Sequence, residues 1–114
     1  MSREYIQRLL DAIEAIDRIE HYTRDMTRSE FAQHERVPLI VERLIMIAGE
    51  ALDRAKDLDA TLGARIPSVL PVIAVGQQIL HNTRRTDSGI LWVFVTDTGP
   101  EVRDSLRLAV EERS

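Results

Sequence analysis

The chain has 114 residues and no cysteine, which is the size of one domain and excludes disulfides, a thiolate metal site and a Cys nucleophile. Apolar residues make up 44% against 30% charged, a globular balance rather than a disordered one. No apolar run reaches the roughly 18 residues of a membrane span, and Met1-Ser2-Arg3-Glu4 lacks a signal-peptide core, so a cytoplasmic protein without membrane contact is expected. The net charge of −4 gives no overall electrostatic case for nucleic acid. Of the 15 basic residues, however, only Lys56 is a lysine. Arginine's planar fork suits phosphate, which leaves room for a local basic site.

From about Arg3 to Arg24, Ile6, Leu9, Leu10, Ile13, Ile16 and Ile19 recur at three- and four-residue steps. That spacing predicts a long amphipathic helix with Arg8, Asp11, Glu14 and Arg18 on its wet face and Ser2 as its cap. Thr27-Arg28-Ser29-Glu30 is a capping box, with Met26 and Phe31 placed as its hydrophobic staple. A short helix to about His34 follows from it. Pro38 suits the first turn of a third helix, whose apolar period runs from Val37 through Ala55 to about Asp57. Ile45 and Met46 widen its apolar arc, as in a helix central to a bundle or packed on a partner chain.

Between Leu58 and Pro67 the pattern lapses, and Gly63 and Pro67 mark a connection. Ser68 is placed to cap a fourth helix ending near His81, with Pro71 in its first turn. Residues Asn82 to Gly89 are polar and turn-like. The stretch Ile90–Thr96 has strand propensity but no second strand to pair with, and a short buried helix is expected. Gly99-Pro100-Glu101 then opens a last helix. The expected fold is all-α: one domain over residues 1–114, an antiparallel helical bundle with two long and two or three shorter helices.

Chemistry in such a chain rests on few side chains. His21, His34 and His81 lie on different elements without metal-ligand spacing, so neither a metal nor a cofactor is expected. Gly76, in Val75-Gly76-Gln77-Gln78, lacks the companions of a phosphate loop and reads as close helix packing. His81 stands where a helix ends, with Arg84 and Arg85 just beyond. Imidazole exchanges protons near neutral pH and guanidinium offsets charge on a phosphate, so these three are the candidate catalytic residues for phosphodiester cleavage. The same side chains also suit a plain C-terminal cap, since cations oppose the helix dipole.

The order of several segments is similar to the HepT-like family of the HEPN superfamily. The segments are Gly49-Glu50-Ala51 within Arg43–Ala51, Ile66-Pro67, Ile79-Leu80-His81, Ile90-Leu91-Trp92 and Thr98-Gly99-Pro100, and the resemblance runs from about Tyr5 to Val110. It implies a helical bundle that dimerises, with metal-free RNA cleavage at a composite site on the dimer seam. Members are typically toxins paired with a small nucleotidyltransferase antitoxin. The family motif is an arginine, four residues, a histidine, one residue and a tyrosine, the last being the residue the antitoxin modifies with AMP. His81 matches the histidine, while Gly76 stands at the arginine position, Gln77 at the asparagine that usually follows, and Thr83 at the tyrosine position.

Three readings follow. One is an RNA-cleaving toxin using His81 with Arg84 or Arg85, weakened or silenced by the loss of the motif arginine and tyrosine. Another is an inactive HEPN dimer, or higher homo-oligomer, kept as a module that binds protein, nucleotide or RNA. The third is a helical adaptor whose broad apolar arc at Ile45 and Met46 buries a partner.

Overall fold

Ser2 opens the first helix, α1 (Arg3–Thr23), its hydroxyl accepting from the Tyr5 backbone N–H at 3.1 Å. The structure is a computed structural model and describes residues 2–82 and 84–112. The apolar stripe of α1 turns inward as its period requires, except that Leu10 is exposed; Tyr5, Ala12 and Ala15 complete the buried face. Thr27 and Glu30 cap the second helix, α2 (Arg28–Gln33), reciprocally: the Thr27 N–H donates to Glu30 at 2.8 Å, and the Glu30 N–H to the Thr27 hydroxyl at 3.1 Å. His34 contributes to the next start. Its Nδ1 accepts from the backbone N–H groups of Arg36 and Val37, both at 3.1 Å, at the head of α3 (Val37–Leu58).

The long helix α3 packs against both α1 and α5 (Val69–His81) and is the centre of the bundle. Ile45 is fully buried in this chain's own core and Met46 is half-buried. Central position therefore accounts for Ile45, whereas Met46 also lines an open hollow between α3 and α5. Arg54 of α3 reaches Glu4 of α1 at 3.2 Å, as an antiparallel pair requires. Between α3 and α5 the expected connection contains one helical turn, α4 (Leu62–Arg65). There Arg65 donates to the Tyr5 hydroxyl at 3.0 Å and to Asp59 at 2.6 Å. Ser68 does not cap α5: its backbone is already helical and its side chain makes no cap bond.

Residues Ile90–Thr96 are helical. Ile90–Val93 belong to α6 (Ser88–Val93), capped by Asp87, whose Oδ1 accepts from the Gly89 N–H at 2.7 Å, and Phe94–Thr96 belong to the turn that follows. Leu91 and Phe94 are buried while Ile90 and Val93 are exposed, so the segment is amphipathic rather than the buried helix expected. Gly99-Pro100 does not begin a separate helix after a break. Helical backbone continues from α6 through a π turn at Phe94–Thr98 into α7 (Gly99–Glu111). Pro100 has no N–H to give the preceding turn, and the Gly99 N–H reaches back to the Phe94 carbonyl, five residues away, while Gly99 lies close against Ile16 of α1. Arg103 of α7 ties the helix to α1 through Asp17 at 3.4 Å and through Glu20, and Arg107 bonds Asp17 at 2.6 Å. No strand occurs among the described residues, and none of their helices is long and apolar enough to cross a membrane.

Candidate functional site

Two glycines set the geometry around His81. α3 and α5 cross at Gly49 and Gly76 so closely that a Cβ on Gly76 would lie 3.3 Å from the Gly49 Cα and 3.4 Å from the Ile45 carbonyl oxygen. A Cβ on Gly49 would lie 3.2 Å from the Val72 carbonyl oxygen. Gly76 is thus a packing residue, as its sequence context suggests. Its backbone forms the floor of a hollow of about 220 Å³, also lined by Met46, Glu50, Asp53, Ile73, Gln77, Leu80 and His81.

His81 is the last residue of α5 and is exposed. It lines the hollow above Gly76 and also a second one, of about 500 Å³, formed with Gln78, Asn82, Thr86, Asp87 and Ile90. The imidazole therefore sits on the ridge between two depressions. The Thr86 backbone N–H donates to Glu42 on α3 at 3.1 Å, which holds the loop after α5 against the bundle. Among the described residues the His81 side chain has no hydrogen-bond or ion-pair partner, and Arg84 and Arg85, both exposed, have none either. Arg84 and Arg85 follow His81 by three and four residues but line neither hollow, so the structure does not bring the three candidate catalytic side chains together at one pocket. His81 makes no capping bond to a carbonyl, but it stands in the last turn of α5, where a cation opposes the helix dipole, so the plain structural role stays in agreement with the structure.

The charge on the α3 side is of the opposite sign. Glu50 has no partner among the described residues, and Asp53 has only Lys56 at 3.8 Å. A site reading based on Arg84 and Arg85 alone misses these carboxylates, although Glu50 lies in the Gly-Glu-Ala step that anchors the resemblance. The amides of Gln77, Gln78 and Asn82 are not legible as lining residues in the sequence either, because Gln77 needs α3 beside it and Gln78 and Asn82 need Ile90 of α6. Thr83, at the tyrosine position, lies outside the described residues. No group of three His, Asp or Glu able to hold a metal occurs among the described residues. His21 and His34 stand apart from the site. His21 packs edge-on to Tyr22, and His34 serves the start of α3.

Compared with known proteins, residues 12–108 match the family model described as Ribonuclease HepT-like. No curated protein and no solved structure matches the chain.

Proposed function

This chain belongs to the HepT-like ribonuclease family, and from that premise we propose that it is a toxin-type homodimer of the cytoplasm that cleaves RNA weakly and without a metal. In this reading His81 removes the proton from the attacking hydroxyl and returns one to the leaving oxygen, while Arg84 and Arg85 offset charge on the phosphate. A small nucleotidyltransferase antitoxin is the proposed partner. Two-fold pairing would bring both His81 ridges to one seam.

The observation that carries the reading is the unpartnered His81 on its ridge, beside Gly76 at the motif's arginine position. The first supports retained proton chemistry. The second supports weakness, because losing a group that binds the transition-state oxyanion commonly costs about 10²–10³ in rate. An in vitro assay on single-stranded RNA with chelator present tests it. Slow cleavage abolished by His81→Ala is expected; no cleavage by the wild type, or equal cleavage by the variant, overturns it.

Glu50 and Asp53 favour a second reading, an inactive dimer that binds without cutting. Their charge stands in the hollow where a guanidinium would otherwise sit, and carboxylates repel phosphate. A purified dimer that binds RNA or protein but never cleaves would select this reading.

A further inference from the structure

Along the outer side of α3, four charged residues recur at intervals of seven: Arg36, just before the helix, then Arg43, Glu50 and Asp57. Seven residues are close to two helical turns, so the four stand in one row. All four are exposed, and none has an ion-pair partner among the described residues. The neighbouring charges are engaged within the chain, Arg54 with Glu4 and Asp53 with Lys56. The row is thus basic in its first half and acidic in its second. At its midpoint stand Met46 and Ile47, both half-buried, and towards the head of the helix Ile40 and Leu39, the latter 48% exposed. Leu39, Ile40 and Ile47 continue into an apolar hollow of about 390 Å³ shared with Tyr22 of α1.

We propose that this row is the contact face for a second copy of the chain, the two α3 helices packing antiparallel about a two-fold axis between Met46 and Ile47. The proposal rests on the homodimer reading and assigns its surface. A closed two-fold interface must be complementary to itself, and here one axis position satisfies the whole row. Arg43 of each copy faces Glu50 of the other, and Arg36 of each faces Asp57 of the other. Met46 and Ile47 meet at the axis, and the exposed apolar surface of Leu39 and Ile40 is covered beside them. Parallel helices would set like charge against like along the row, which is disfavoured. A uniformly acidic or uniformly basic partner would match only half of it. Met46 and Glu50 also line the hollow at Gly76 with His81, so the seam runs along the edge of that hollow and brings the other copy's Arg43 to its rim.

Light scattering on the full chain across micromolar concentrations tests the surface by charge exchange. The wild type is expected to be a dimer. Arg43→Glu and Glu50→Arg each turn attraction into repulsion on both sides of the axis and should raise the dimer dissociation constant at least about tenfold. The combined Arg43→Glu/Glu50→Arg variant sets the exchanged charges against each other again and should return to within about threefold of the wild type. Both residues are exposed, so the fold is expected to persist in all three. Leu108→Glu, at an exposed position on α7, should leave the dimer as it is. A dimer indifferent to both single exchanges, or a combined variant that stays monomeric, overturns the surface while leaving the homodimer reading intact. So does a dimer lost in Leu108→Glu but not in the exchanges. A monomeric wild type overturns both. A dimer that obeys the exchanges but cuts no RNA supports the surface and defeats catalysis.

Discussion

Position 76 shows how closely two helices approach where one residue lacks a side chain. The α3 and α5 backbones meet there, and the atoms nearest a new Cβ are the Gly49 Cα and the Ile45 carbonyl, neither of which can rotate away. Alanine would gain about 1 kcal/mol of helix propensity over glycine, but overpacking commonly costs about 1–3 kcal/mol. Gly76→Ala is therefore expected to lower stability by about 1 kcal/mol, read by urea denaturation; a more stable variant would show that the helices are free to part. Close helix packing at Gly76 was readable from the sequence because a lone glycine in an apolar helix has few other uses. The hollow it leaves was not, since Glu50 and Asp53 lie over twenty residues away on another helix.

Among the elements, those with local causes were legible. The Thr27–Glu30 box and the stripe of α1 need only neighbours in the chain, and both form as expected. The bond from the Thr27 backbone N–H, and then the Thr27 side chain, hold the Glu30 carboxyl below its ordinary value of 4.5. A carboxyl depressed in the folded state adds stability above its unfolded value, which is lost as pH falls through the lower folded value. The melting temperature of Glu30→Gln should thus fall less between about pH 6 and about pH 3 than that of the wild type. Parallel curves would mean the box adds nothing. The π turn was illegible, because Gly99-Pro100 reads as a helix start when only neighbours are considered. Its geometry depends on Phe94 and on α1: a Cβ at Gly99 would lie 2.9 Å from the Phe94 carbonyl oxygen and 3.4 Å from Ile16 Cγ2. Gly99→Ala should cost about 2 kcal/mol in thermal denaturation, and a neutral result would place the strain elsewhere.

At the scale of the whole molecule, net charge is a poor guide to the site. Arg84 and Arg85, on the loop after His81, have no partner among the described residues, and Glu50 and Asp53 line the hollow on the α3 side of His81, a local distribution that the net figure averages away. The all-α class and the family were legible over most of the chain, because apolar period and motif order are properties of sequence. The ridge was not, because α5, α6 and α3 must converge to make it.

The central claim is that a His81-centred RNA site survives here and is held back by the glycine at position 76. Initial cleavage rates of one single-stranded RNA by wild type, Gly76→Arg and Gly76→Arg/His81→Ala test it, each protein first shown to be folded by circular dichroism. Restoring the guanidinium beside Glu50 and Asp53 should raise the rate at least about tenfold, and removing His81 should abolish the gain. A folded Gly76→Arg protein no faster than the wild type, or one that stays active without His81, would contradict the claim.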